Sequence, residues 1–162
     1  MLRVDHAGEY GATRIYQGQL DVLGRSRGAG AIRLMAEAEK RHLARFETLL
    51  RHRRVRPTLL RPLWNVAGYA LGAATALLGE QAAMACTVAV EEVIDEHYRR
   101  QGAALPESEG ELKAAIESFR NEELEHRDTG LAHGATEALA YPLLSGAIKA
   151  GSRLAIWLAE RI

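Results

Sequence analysis

A single cysteine, Cys86, leaves this chain without an internal disulfide and without any cysteine-based zinc or iron–sulfur framework. No C-x-x-C pair is present, so a rubredoxin-type electron domain is excluded. Aromatic residues make up only 6% of the chain, β-branched runs are short, and no segment alternates with period two, so no sheet is expected. Net charge is absent as well. The 21 Lys+Arg balance the 21 Asp+Glu, which leaves no cation excess for phosphates and argues against a nucleic-acid partner. Without a G-x-G-x-x-G fingerprint, any use of a nicotinamide cofactor would proceed without a Rossmann domain. The opening Met1-Leu2-Arg3-Val4-Asp5-His6 lacks the apolar stretch of a secretory signal. That leaves either a bacterial protein or a mitochondrial one whose transit peptide has been removed. What remains is 162 residues, 48% hydrophobic and 26% charged. This is enough for one globular, all-α domain over residues 1–162 with a real core.

Breakers divide the chain into six helical stretches. The first is expected from Val4 to Leu23, ending at Gly24, and the second from Ala31 to Arg53, ahead of Pro57. A third, Pro62 to Gly79, carries no charge and is apolar almost all round. The fourth runs from Gln81 to Arg100. Ser108 and Glu111 have the spacing of a capping box, which starts a fifth helix that reaches Gly130. The sixth spans Ala138 to Arg161, with Pro142 tolerated in its first turn.

Two Glu-x-x-His motifs stand out, Glu39-Lys40-Arg41-His42 and Glu123-Leu124-Glu125-His126. Residues i and i+3 share a helix face, so each motif can offer a carboxylate and an imidazole to one metal. At this glutamate content two such motifs arise easily by chance, so their setting matters. Glu39 and His42 lie on a stripe with Ile32, Met35, Phe46 and Leu49; Glu123 and His126 lie on one with Leu112, Ile116 and Phe119. Burying a carboxylate there costs several kcal/mol unless it is paired or bound to a metal. Two more glutamates sit on apolar faces. Glu9 precedes Tyr16 and Leu20 at helical spacing, and Glu91 is in line with Met84, Val88, Ile94 and Tyr98, whereas Glu92 points with Asp95, Glu96 and Arg99 toward water.

Hairpin geometry joins these residues. The midpoint of Glu9 and Glu39 is Gly24, and that of Glu91 and Glu123 is position 107, inside the Gly102–Gly110 turn. In an antiparallel helix pair, residues equidistant from the turn lie at the same height. The chain therefore reads as two hairpins, each giving one Glu and one Glu-x-x-His, with two further helices outside the bundle. Glu9, Glu39, His42, Glu91, Glu123 and His126 make up the ligand set of a dinuclear carboxylate site in a four-helix bundle. Carboxylates with imidazole favour iron or manganese over zinc, and no thiolate competes. The bland alternative is solvated helix-face glutamates with two satisfied histidines.

The segments Val4-Asp5-His6-Ala7-Gly8-Glu9-Tyr10-Gly11-Ala12, Pro62-Leu63-Trp64-Asn65, Cys86-Thr87-Val88-Ala89-Val90-Glu91-Glu92 and Glu122-Glu123-Leu124-Glu125-His126 carry a further signal. Together they closely resemble the demethoxyubiquinone hydroxylases of ubiquinone biosynthesis, over nearly the whole chain and at all six ligand positions. The resemblance implies a ferritin-like bundle in which those six residues bind two iron ions. It implies O2-dependent hydroxylation of a 2-polyprenyl-3-methyl-6-methoxy-1,4-benzoquinone or its quinol, one oxygen entering the ring and the other leaving as water. It also implies an external reductant such as NADH, with the quinone itself as a possible mediator. Two departures from animal relatives are the short Gly102–Gly110 turn and Trp157 in place of a tyrosine; the second weakens a tyrosine relay from the last helix.

Other residues carry weaker expectations. Tyr98, one residue after His97, is a candidate relay for protons or electrons, or else a core tyrosine. Asp5 and Asp95 are candidates for orienting a ligand histidine across the bundle. His6 is expected at the surface or in a cap, His52 and His133 are structural, and Cys86 is a small buried hydrophobe. Lys149 and Arg153 are solvated charges or contacts for headgroups or a phosphate. The basic cluster Arg51-His52-Arg53-Arg54-Val55-Arg56 abuts the apolar third helix, the arrangement of an interfacial anchor over anionic lipid. Gly68-x-x-x-Gly72 permits close helix contact. The expectation is a protein lying on the membrane surface, at the cytoplasmic face of the bacterial inner membrane or the matrix face of the mitochondrial one. A polyprenyl quinone would reach the metal from lipid, with a second copy or a lipid-binding partner protein as associates. Two rival functions share parts of this pattern: a ferritin-like ferroxidase or peroxide scavenger, and a non-catalytic lipid-binding bundle.

Overall fold

The computed structural model describes residues 1–162 as six α-helices without a strand. They are α1 (Leu2–Leu23), α2 (Ala29–His52), α3 (Arg61–Leu77), α4 (Glu80–Ala104), α5 (Gly110–Ala132) and α6 (Tyr141–Arg161). Single 3₁₀ turns at Glu107–Glu109 and Ala135–Glu137 precede α5 and α6. The architecture is the expected ferritin-like bundle of two hairpins, α1/α2 and α4/α5, with α3 packed on α1 and α6 packed on α4.

One expected cap is not made. Ser108 and Glu111 form no capping box, and α5 starts without a side-chain cap. Glu111 reaches across to Arg45 of α2 at 2.6 Å and Glu109 to Arg53 at 2.5 Å, so both acids staple the hairpins together. At the other end of the bundle Gly28 N–H donates to Glu80 Oε2 at 3.0 Å, which ties the first turn to the start of α4.

The α1–α3 seam is built on glycine. A Cβ on Gly72 would run into the Ile15 carbonyl, and one on Gly18 into the Tyr69 carbonyl, so the two backbones touch. Gly68-x-x-x-Gly72 is thus the close-packing face of α3 against α1. On either side of the seam Arg61 covers the Tyr10 ring at 4.6 Å and Arg14 the Tyr69 ring at 5.4 Å. The outer face of α3 stays open: only Gly72, Thr75 and Ala76 of that helix are buried, and Leu63 and Val66 are exposed. The α4–α6 contact is different. Ile148 and Leu144 lie on Cys86, Ala89 and Val90, and above them Lys149 pairs with Glu92 and Arg153 with Glu96 (3.2 Å). Those two cations are therefore tied to α4, and Glu92 and Glu96 are half covered by α6 instead of facing open water.

Inside the bundle two apolar clusters bracket a polar layer. One gathers Tyr16, Ile32, Met35, Met84 and Val88; the other gathers Phe46, Leu49, Tyr98, Leu112 and Ile116. Their burial follows the 3–4 spacing of each helix. Between them, on all four bundle helices, lie the carboxylates.

Candidate metal centre

Glu9, Glu39, His42, Glu91, Glu123 and His126 all point into this layer, and none is more than 7% exposed. Ligand-type atoms fall into two overlapping groups, each within 4.8 Å: Glu9, Glu39, His42 and Glu123; and Glu39, Glu91, Glu123 and His126. Glu39 and Glu123 belong to both groups. Glu123 shows the sharing directly, with Oε1 3.1 Å from His42 Nδ1 and Oε2 3.0 Å from His126 Nδ1. His42 Nδ1 also lies 3.5 Å from Glu9 Oε2, and His126 Nδ1 lies 3.2 Å from Glu39 Oε1. Both rings present Nδ1 to the centre.

The electrostatics of this layer are unbalanced. Burial, and then the facing charges of Glu123, Glu9 and Glu91, push Glu39 well above the usual carboxylate range. Burial and then Glu123 do the same to Glu91, and burial raises Glu123. Burial pulls His42 down, but the adjacent carboxylates of Glu123 and Glu9 outweigh that and push it up to about 10. Burial holds His126 below its ordinary value. Moreover Glu9 Oε2, both oxygens of Glu39 and Glu91 Oε2 are buried with no hydrogen-bond partner. Orphaned buried carboxylate oxygens are costly unless something positive meets them. Two divalent cations would balance four carboxylates, and the donor set fits them.

Among the neighbours of this layer the sequence singles out Tyr98 as a candidate relay, but not Tyr16 or Glu122. Tyr16 donates to Glu91 Oε1 at 2.9 Å, while Tyr98 donates to Glu9 Oε1. Burial and then the nearby carboxylates raise both phenols well above the usual tyrosine range. Glu122, half-buried, places Oε2 3.2 Å from His42 Nε2 while Arg41 holds it at 3.1 Å from the solvent side. The acid beside the outer nitrogen of a candidate histidine is thus Glu122, and not Asp5 or Asp95. Asp5 faces α4, where it accepts from Gln101 at 2.8 Å and lies 3.0 Å from His97 Nε2; Asp95 pairs with Arg120 at 2.6 Å. The reason is topological: the candidate histidines are on α2 and α5, whereas α1 and α4 turn these acids elsewhere. His6 is buried against α2, 4.0 Å from Glu47, and not at the surface, because α1 is covered by both α2 and α3. His52 and His133 are exposed, and Cys86 is buried, its thiol pushed up to about 12 by burial.

An apolar cavity of about 270 Å³ lies between α1, α3, α4 and α6. Gly8, Ala12, Val90 and Val93, which flank Glu9 and Glu91 in the chain, are among its walls, with Trp64, Leu71 and Ile156 opposite. No residue of α2 or α5 and none of the six candidate ligands lines it, so it runs along the flanks of α1 and α4 on the side away from both Glu-x-x-His motifs. No helix is long and apolar enough to cross a membrane.

A family model described as ubiquinone biosynthesis protein COQ7 matches residues 1–159. The chain is 64% identical over 162 residues to the 3-demethoxyubiquinol 3-hydroxylase of Rhodospirillum rubrum, covering 99% of this chain and 76% of that protein. It is 56% identical over 166 residues to the mitochondrial NADPH-dependent 3-demethoxyubiquinone 3-hydroxylase of Homo sapiens, covering 100% and 76%. With the mitochondrial 5-demethoxyubiquinone hydroxylase of Saccharomyces cerevisiae it shares 41% over 179 residues, covering 100% and 77%.

Proposed function

The chain belongs to the COQ7 family of ubiquinone biosynthesis proteins, and from that premise we propose how its bundle works as a demethoxyubiquinone hydroxylase. The observation that carries the proposal is the pair of overlapping four-residue groups that share Glu39 and Glu123. Glu9 and His42 would hold one iron, Glu91 and His126 the other, with Glu39 and Glu123 common to both, and residues 1–162 act as one di-iron domain. When bound, the irons supply the redox chemistry that lets O2 deliver one oxygen to the quinone ring and one to water.

The protein's own residues do the rest. Its apolar cavity takes the ring and the first part of the polyprenyl tail, brings them against the helix flanks that carry Glu9 and Glu91, and keeps bulk water out. Glu122 fixes the His42 ring from behind. Tyr98, hydrogen-bonded to Glu9, holds a proton beside the centre; its chain neighbour His97 is half-buried and contacts the buried Asp5, which also accepts from Gln101. We assign Tyr98 the relay role on that ground. Two electrons come from an external reduced nicotinamide, directly or through the quinone. A lipid-borne substrate places the protein at the membrane surface. The exposed Leu63, Val66, Leu154 and Trp157 of α3 and α6, with the arginines after α2, form the contact. Liposome flotation tests this part, and protein that stays at the bottom with anionic vesicles sinks it.

The central test is iron stoichiometry with Mössbauer spectra, on wild-type protein and Glu91→Ala. About two coupled irons per chain are expected in the wild type, with the coupling lost in the variant. Folded protein that takes up no iron after reconstitution with Fe(II) would end the metal reading. Turnover of a demethoxyquinone, against simple Fe(II) oxidation, separates the hydroxylase from a ferroxidase.

A further inference from the structure

Each half of the bundle repeats a second spacing alongside the Glu-x-x-His motif. Tyr16 follows Glu9 by seven residues on α1, and Tyr98 follows Glu91 by seven on α4. Seven residues are two helical turns, so each tyrosine stands on the face of its own glutamate but in the neighbouring apolar cluster. Because α1 and α4 face each other, the tyrosines cross over. Tyr16 donates to Glu91 and Tyr98 to Glu9.

In both cases the accepting atom is Oε1, and in both cases Oε2 of the same carboxylate is buried without a hydrogen-bond partner. For Glu9 that free oxygen lies 3.5 Å from His42 Nδ1, among the ligand atoms. Tyr16 itself is buried, with its hydroxyl 3.8 Å from Met35 Sδ and its ring edge-on to His126 at 6.4 Å. The other acceptor within reach of its proton is the weak thioether sulfur of Met35, so the carboxylate oxygen is the stronger partner.

We propose that Tyr16 is a positioning residue that occupies one oxygen of Glu91, so that this carboxylate offers a single oxygen to its metal ion, as Tyr98 does for Glu9. The inference rests on the metal-centre reading above and adds to it. A carboxylate free to bind through both oxygens would fill one more coordination position. With one oxygen withheld at Glu91 and one at Glu9, bound ions would keep positions free for O2. Removing the phenol closes one of them without removing a ligand.

Cobalt(II) provides a readout that does not depend on turnover, because its visible absorption weakens as coordination number rises. Wild-type protein, Tyr16→Phe and Tyr98→Phe are each titrated with Co(II) under anaerobic conditions, with thermal melts as a control for the fold. Both variants keep the ring and hence its packing. All three are expected to take two cobalt ions per chain. Tyr16→Phe should show weaker visible bands, together with an affinity changed about tenfold at one site and not at the other. Tyr98→Phe should do the same to the opposite site, and the double variant to both. Cobalt bound by Tyr16→Phe with wild-type intensity and affinity, whatever its melting temperature, reduces Tyr16 to a core tyrosine and overturns the inference while leaving the metal centre in place. Wild-type protein that binds no cobalt overturns the metal centre and the inference together.

Discussion

The two hairpins carry the same chemical template in different surroundings. Each supplies a glutamate, a tyrosine seven residues later, and a Glu-x-x-His, and each is backed by one extra helix. Around Tyr16 and Glu91 the protein is sealed by Met35, Met84 and Val88. Near Glu9 and Tyr98 lies a polar cluster in which Asp5 accepts from Gln101 and contacts the half-buried His97. The backing helices differ too. α3 meets α1 backbone to backbone, whereas α6 rests on α4 through side chains and ion pairs, and the apolar cavity lies where the two arrangements meet. On the proposed function, a symmetric centre set in an asymmetric shell would let two ions be held alike while protons and substrate approach from chosen sides.

The most severe way to break the comparison is to remove what the halves share. Glu123→Ala deletes a carboxylate common to both groups, so both metals are expected to be lost, whereas Glu9→Ala should still hold a metal at the Glu91–His126 side. Metal analysis on dialysed protein separates these outcomes; equal retention in the two variants would refute the sharing.

Next in size is the contrast between glycines that close and glycines that open. At Gly72 a larger side chain must push α3 off Ile15, so Gly72→Leu should cost about 3 kcal/mol or more of stability, read from denaturant unfolding. Gly11 also lines the cavity, but a Cβ there meets nothing within 4 Å. Gly11→Val should therefore melt near the wild type while narrowing the cavity. An expected drop of about tenfold in kcat/KM, with metal content unchanged, follows if the cavity admits the substrate. Unchanged kinetics would place the substrate elsewhere.

A smaller contrast separates the tyrosines themselves. Only Tyr98 is next in the chain to the half-buried His97 and its partner Asp5, so Tyr98→Phe should slow turnover several-fold more than Tyr16→Phe at equal metal content. Equal losses would mean that both tyrosines only position carboxylates, and the relay role would fall.

Much of this arrangement is legible in the chain because helix periodicity is a local property. The six helices, the hairpin turns near Gly24 and position 107, and the six inward ligand-type residues follow from spacing and apolar stripes alone. What spacing does not reveal is which neighbour a polar residue meets. The Ser108–Glu111 pattern is a sound local cap signal, but Arg45 on another helix offers Glu111 a charged partner, and a tertiary contact wins. His6 looks like surface when the stripe of α1 is matched to one partner helix, but α1 has two. Tyr16 and Glu122 stand in plain view, Tyr16 at the same spacing from Glu9 as Tyr98 from Glu91. Their roles depend on the crossing of α1 with α4 and on the outer nitrogen of His42, neither of which the sequence displays.

The faintest expected difference lies in the turns that lead into the two backing helices. Arg54, ahead of α3, and Ala140, ahead of α6, are the only non-glycine residues with positive φ, at 53° and 52°. A left-handed conformation costs an L-residue roughly 1–2 kcal/mol. Glycine removes that cost but loses more freedom on folding, by roughly 0.5–1 kcal/mol. Arg54→Gly and Ala140→Gly should therefore each raise stability by about 0.5–1 kcal/mol, measured by denaturant unfolding of metal-free protein. Equal gains would make the two turns equivalent, so that the asymmetry of the shell begins only where α3 and α6 touch the bundle. A gain at Ala140 alone would show that the exposed Arg54 side chain offsets its backbone strain, and the two halves would then differ from their first turns onward.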